Sequence, residues 1–289
     1  MRITAAIPCY NAERFIKSCL DSLAAQSRPP EEIIVVDDGS TDRTAEILSL
    51  RQDVKVITLE QNRGVAHARN VLINNASGEV IVFIDADATA DANLIQELEN
   101  AYEAGVAGVG GRAIEAGGSS IADRWRRLHA SQSYGGQYRS NVAFLWGVCS
   151  SYRRAVLVEA GGFDERFRTN GEDTEMGFRL GSMGKRLDYN PRAIVHHQRT
   201  DNIPSLCKMM FRWYYWGYIA MRKVRGAAFL FYVKTIVKVV LRNLRTDLIQ
   251  ERSPRLAFVS VLMSHIELLA TLKAALTARR VLKLMPWPE

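Results

Sequence analysis

Asp85 and Asp87 follow the apolar run Val80-Ile81-Val82-Phe83-Ile84, two carboxylates with one alanine between them. Taking an ionised carboxylate out of water is costly unless a cation or donor meets it. A pair at the end of an apolar run therefore points to a metal ion or a ligand hydroxyl; the competing reading is an acidic loop that caps the next helix. A second apolar run, Ile33-Ile34-Val35-Val36, also ends on paired acids, Asp37 and Asp38. Further along, Gly171-Glu172-Asp173-Thr174-Glu175 gathers three carboxylates where a helical pattern begins. Acids there serve either as a base or as counter-charges to the helix dipole.

These acids need elements to position them. Short apolar runs at residues 3–7, 32–36, 54–59 and 80–84 read as strands, because β-branched and aromatic residues without alternation fit a sheet buried on both faces. Between them, residues 12–25, 44–50, 65–75 and 92–102 carry apolar residues at helical spacing, with Thr41 or Asp42 as N-cap of the second helix. Strands separated by helices of this length predict an α/β fold with a mostly parallel sheet and right-handed crossovers. Parallel sheets bind ligands at the carboxyl ends of their strands, where both acid pairs fall. The turn after the first strand, Pro8-Cys9-Tyr10-Asn11, has no glycine, which argues against a dinucleotide-binding Rossmann domain. A sugar nucleotidyltransferase would need a Gly-rich, lysine-bearing phosphate loop there, and that is missing too.

Four stretches in order carry a family resemblance: Ile7-Pro8-Cys9-Tyr10-Asn11, Val36-Asp37-Asp38-Gly39-Ser40-Thr41-Asp42, Asn62-Arg63-Gly64-Val65-Ala66-His67-Ala68-Arg69-Asn70 and Asp85-Ala86-Asp87. Over residues 1–200 the chain resembles the inverting family-two glycosyltransferases with the GT-A (Rossmann-like) fold. The resemblance implies that Asp38 accepts the imide hydrogen of a pyrimidine base and that Pro8 and Tyr10 line the nucleotide. It places Arg69 on the base or its phosphates, Asp85 towards the ribose, and Asp87 on a divalent cation, Mg²⁺ or Mn²⁺. Asp173 matches the catalytic base, with Glu172 beside it. Trp146 and Gly147, before the Gly161-Gly162-Phe163-Asp164 turn, fall on the acceptor side. His196, at the end of the closing strand, either completes the metal or diphosphate site or is structural. Residues 1–104 would form the nucleotide-sugar half and 105–200 the acceptor half. The segment 117–138 reads as an acceptor lid or as a solvated insertion.

The formal net charge of +7 is unevenly spread. Residues 1–198 carry 22 Lys+Arg against 26 Asp+Glu, and residues 199–289 carry 16 against 5. The basic character belongs to a helical extension over 201–289. There Lys234, Lys238, Arg242 and Arg245 form one stripe of a helix expected over 227–248. Phe229, Val233, Ile236, Val237, Val240 and Leu244 supply its apolar side, after a stretch crowded with aromatics (211–218). A basic amphipathic helix fits an anionic membrane surface, whereas no nucleic-acid-binding module accompanies the charge. The apolar run 256–272 sits at the short limit for spanning a bilayer and holds His265 and Glu267, which favours an in-plane or bundle helix. Cys9, Cys19, Cys149 and Cys207 lie far apart without a CxxC pair, as expected in a reducing compartment. The N-terminus runs into its first strand without the pattern of a signal peptide.

The expectation is a metal-dependent inverting transferase moving a sugar from a nucleotide diphosphate to a hydroxyl. Its acceptor would be a lipid-linked or growing glycan at the cytoplasmic face of the membrane. The alternative is a non-catalytic nucleotide-sugar-binding or assembly protein of the same fold. The oligomeric state is left open.

Overall fold

Apolar runs without alternation become strands with both faces covered, and helices at 3.6-residue spacing supply the cover. The computed structural model describes residues 1–226 and 229–283. In chain order the elements are β1 (Ile3–Cys9), α1 (Ile16–Ala24), β2 (Glu32–Asp37), α2 (Thr44–Ser49), β3 (Lys55–Thr58) and α3 (Val65–Asn75). Next come β4 (Val80–Ile84), β5 (Ala88–Ala90), α4 (Leu94–Asn100), β6 (Val106–Glu115) and α5 (Ile121–His129). Then follow β7 (Cys149–Arg153), α6 (Arg154–Glu159), α7 (Glu172–Ser182) and β8 (Arg186–His197). The chain closes with α8 (Ile203–Arg225), α9 (Phe229–Arg245), a π-helical turn at Thr246–Gln250, and α10 (Pro254–Lys283). Two compact units result: Met1–Ala116 with Gln132–Arg199, and Gly117–Ser131 with the described part of Thr200–Glu289.

The first unit is built on one eight-stranded sheet, ordered β3-β2-β1-β4-β7-β6-β8-β5. β1, β2, β3 and β4 run parallel, β7 is antiparallel between β4 and β6, and β8 lies parallel to β6. The expected α/β fold with a mostly parallel sheet is what forms. Every residue of β1 and β4 is buried, and period-two alternation sends neighbours to opposite layers. Ile7, Val35 and Val82 join Leu20, Leu23, Leu94 and Leu98 on one face. Ala6, Val36 and Phe83 join Leu72, Met176 and Leu180 on the other. Helix α1 has no side-chain cap, a loss of about 1 kcal/mol. Burial of Ile16, Leu20 and Leu23, at roughly 1.5–3 kcal/mol each, outweighs it.

Strand directions decide what meets what. The C-terminal ends of β1, β2, β4, β6 and β8 share one sheet edge. Because Cys149 pairs with Ile84 in antiparallel register, residues 146–148 enter at that same edge.

Residues 117–138, expected as a lid or an insertion, divide between the units. Helix α5 opens with a reciprocal cap, the Asp123 amide donating to Ser120 Oγ at 3.1 Å and the Ser120 amide to Asp123 Oδ2 at 3.0 Å, and it belongs to the second unit. There its Trp125 packs with Leu206, Met210, Val259 and Met263. Buried polar groups join the same helix to the π-helical turn: His129 Nε2 lies 2.7 Å from Asp247 Oδ1, and Ser260 Oγ donates to Asp247 Oδ2 at 2.5 Å. Asn202 and Ser205 cap α8 in the same reciprocal way, with proline in its first turn.

The start of the expected helix over 227–248 falls on Ala227 and Ala228, outside the described residues. In α9 the anticipated apolar side is turned largely inward. Ile236 is buried and Phe229, Val233, Val240 and Leu244 are partly buried, while Val237 is exposed. The outward face holds Lys234, Lys238, Arg242 and Arg245 among exposed Leu230, Phe231, Val237 and Leu241. Within α10, Pro254–Ala278 is long and apolar enough to cross a membrane by length and composition, with 44% of its apolar window buried.

Candidate active site

The apolar run of β4 carries its two acids to the sheet edge with the backbone held: the Asp85 amide donates to Val148 O at 3.3 Å. Next to them lies Arg69, on the inward face of α3 with Ala66, Leu72 and Ile73. Its guanidinium is 1% exposed, so it faces protein and not solvent. Nη1 donates to Glu172 Oε1 at 2.6 Å, and Nη2 donates to Asp85 Oδ1 at 3.2 Å and Gly147 O at 3.1 Å. The rings of Phe83 and Phe163 flank its Cζ at 5.7 and 5.4 Å, a cation–π setting that suits a planar cation. Arg69, expected on the donor's base or phosphates, forms a buried bridge between three segments of the chain.

Asp173 lies one residue into α7, after the left-handed Gly171. Its Oδ2 accepts from the Gly147 amide at 3.0 Å, and its Oδ1 from the Thr174 amide at 2.6 Å. Gly147 therefore touches both sides, its N–H on Asp173 and its carbonyl on Arg69. A Cβ there would lie 2.4 Å from Arg69 Nη2, so any other residue must push the guanidinium aside.

Charge crowding tunes these groups. Burial pushes the Glu172 carboxyl up to about 7, with Arg69 opposing and Asp173 adding to the rise. Burial also raises Asp85, again against the pull of Arg69. For Asp87 burial works in the same direction, but its hydrogen bond with His197 prevails and holds the carboxyl below the usual range. His197 sits between Asp87 Oδ2 at 3.4 Å and Glu115 Oε2 at 3.0 Å. Burial alone would lower its pKa, yet the two carboxylates lift it to about 10, so it is an imidazolium at neutral pH. His197, not the expected His196, reaches Asp87. Successive strand residues face opposite sides, and His196 pairs in register with Thr89.

Asp38 is spoken for on both oxygens. Oδ1 accepts from the Arg63 amide at 2.9 Å and Oδ2 from the Gly64 amide at 2.7 Å, which pins the end of β2 to the start of α3. Asp37 Oδ1 accepts from the Ser40 amide at 3.0 Å, and Asp42 Oδ1 from the Thr44 amide at 3.0 Å, while Arg43 takes the N-cap position of α2 that was expected of Thr41 or Asp42. Pro8 is buried within β1 in register with Val36, whereas Tyr10 is 47% exposed at the edge. Of the two residues expected to line a nucleotide, only Tyr10 presents a surface. Trp146 is partly buried and packs on Tyr134, ring centroids 4.2 Å apart, with Phe144 at 5.3 Å from Trp146.

The sheet edge thus collects Asp85, Glu172 and Asp173 around one guanidinium, with Asp87 held by His197. Glu115 and His197 escaped the sequence reading. Glu115 ends its strand much as Asp85 follows its own, but it stands alone there and carries no motif. His197 was hidden by its neighbour.

Comparison with known proteins agrees with this geometry. The model of Glycosyl transferase family 2 matches residues 4–161. A poly-beta-1,6-N-acetyl-D-glucosamine synthase of Staphylococcus epidermidis is 29% identical over 223 residues, covering 73% of this chain and 53% of the relative. The chain spans about half the length of such curated relatives. Among solved structures, the mannosyltransferase PcManGT from Pyrobaculum calidifontis, in complex with GDP-Man and Mn²⁺, superposes with a TM-score of 0.57 at 19% identity, covering 98% of this chain and 74% of that one. S. aureus TarS gives a TM-score of 0.58 at 19% identity, covering 97% and 55%. These structures share the fold. The matched stretch takes in both strand-end acid pairs, Arg69 and Gly147, and it covers more than half of the sequence: the chain belongs to glycosyl transferase family 2.

Proposed function

We propose that this protein is an inverting glycosyltransferase that moves a sugar from a nucleotide diphosphate donor to a hydroxyl of a lipid-linked or growing glycan. One observation carries the reading: Arg69 and Gly147 tie the strand-end acid Asp85, beside Asp87, to Asp173. Asp173 is the base that takes the proton of the acceptor hydroxyl as its oxygen attacks the anomeric carbon. Such help contributes roughly 10²- to 10⁴-fold. Attack from the side opposite the leaving diphosphate inverts the anomeric centre. Trp146 and Tyr134 offer an aromatic face beside this base for the acceptor.

The donor set fits a hard divalent cation. Asp87, kept ionised by His197, and the neighbouring Asp85 offer oxygen ligands. Mg²⁺ and similar cations are commonly held by one or two carboxylates plus substrate phosphates. His197 orients Asp87. When bound, the cation offsets the charge growing on the leaving diphosphate. Mn²⁺ in the PcManGT complex and the glycan named for the staphylococcal synthase support the cation and the acceptor class. The exposed basic and apolar face of α9 supports docking on the cytoplasmic face of the membrane.

The test is donor turnover across nucleotide-sugars, with and without Mn²⁺ and a glycan acceptor. Asp173→Asn is expected to lose transfer by about 10²-fold or more while still binding nucleotide. Transfer at the wild-type rate in that variant refutes the assignment.

A further inference from the structure

We infer that Arg69 is a positioning residue that sets Asp173 and Asp85 in register with each other, and that it acts on the base through the peptide of Gly147. The inference rests on the transferase reading and concerns how its two halves are aligned.

Arg69 bonds to all three segments that meet at the sheet edge: Asp85 after β4, Gly147 before β7, and Glu172 at the start of α7. From Gly147 the chain of hydrogen bonds continues to Asp173 Oδ2, so the base carboxylate is one residue removed from the guanidinium. Its other oxygen is tied within its own helix, to the Thr174 amide. Among the described residues, the Gly147 amide is therefore the one hydrogen-bond partner that Asp173 takes from another segment. What fixes that peptide is the bond its carbonyl accepts from Arg69 Nη2.

The arrangement is specific to arginine. Two nitrogens serve three oxygens on three segments, and Phe83 and Phe163 hold the plane from the sides. A lysine ammonium is a compact point charge and cannot span that fork. It also depends on the missing side chain at residue 147, since a Cβ would sit 2.4 Å from Nη2 and 3.0 Å from Nη1. Displacement of a reacting group by about 1 Å can cost about 10²-fold in rate. A loosened Gly147 peptide should thus cost turnover, not donor affinity.

Two variants test this through the split between kcat and KM. Arg69→Lys keeps the charge and removes the fork; Gly147→Ala keeps every charge and pushes the guanidinium away. Far-UV circular dichroism first checks that each folds, and Gly147→Ala carries the test if Arg69→Lys does not. Both are expected to lower kcat by about 10²-fold with donor KM changed less than about threefold. The double variant should fall little below the worse single one, because neighbours sharing one network are not additive. Wild-type kcat in both folded variants overturns the inference. So does a loss confined to donor KM, which would make Arg69 a donor contact. In either case an active wild type leaves the transferase reading standing. A wild type inert with every donor refutes that reading and takes the inference down with it.

Discussion

Replacing Glu172 by glutamine sets burial against ion pairing at one position, and the two effects predict opposite results. Glu172 is 5% exposed and accepts from Arg69 at 2.6 Å. If the ion pair dominated, a neutral amide would destabilise the fold. Yet its carboxyl is raised from 4.5 to about 7 with that pair in place, because desolvation and Asp173 outweigh the guanidinium. The folded protein then holds a proton that the unfolded chain releases. Unfolding between pH 4.5 and 7 frees that proton, so rising pH favours the unfolded state. The contribution is fully present below about 4.5 and is gone once pH has passed about 7. At 1.36 kcal/mol per unit, the difference amounts to about 3 kcal/mol. Glutamine mimics the neutral acid and does not titrate. Urea unfolding of both proteins from pH 4.5 to 8.5 gives the difference directly. Expected are near-equal stabilities at the acid end and a variant more stable by up to about 3 kcal/mol at pH 8. A variant less stable at pH 8, or a gap that does not change with pH, refutes the reasoning.

Further outcomes follow from the same geometry. Asp38→Ala removes the acceptor of two amide bonds, so the ligand-free protein should lose about 3 kcal/mol or more, read as a lowered denaturation midpoint. An unchanged midpoint would deny Asp38 its role in pinning α3. Chelation should stop donor turnover and Mn²⁺ restore it, and in Asp87→Ala the stabilisation by Mn²⁺ plus nucleoside diphosphate should vanish in a thermal-shift assay. Changing Lys234, Lys238, Arg242 and Arg245 to glutamate should abolish sedimentation with anionic vesicles, since each basic residue contributes about 1 kcal/mol near such a surface. Equal sedimentation of the two forms would rule out that face as the contact.

Much of the framework was legible in the residues. Apolar runs without alternation located the strands, and 3.6-residue spacing located α1 to α4, because local pattern reports which face an element must bury. Strand-end acids marked the sheet edge, since a carboxylate after a buried run needs a reason to be there. Elsewhere, pattern was ambiguous. The helix within 117–138 joins the second unit through Trp125, a long-range contact that no local periodicity encodes. For α9, the amphipathic period was legible, and folding turns Ile236 inward while Lys234, Lys238, Arg242 and Arg245 stay exposed.

Partners were the part that only tertiary structure could decide. Asp38 and Arg69 stand in sequence where a ligand contact is expected, and folding adds partners the sequence does not show: two backbone amides on Asp38 and three segments around Arg69. His196 and His197 differ by one position, and strand pleating alone sends the second to Asp87. Residue type and spacing determined where charge is concentrated and on which element it rides. What each charge meets was set by strand order and register, because they bring together groups as far apart in the chain as Arg69 and Glu172.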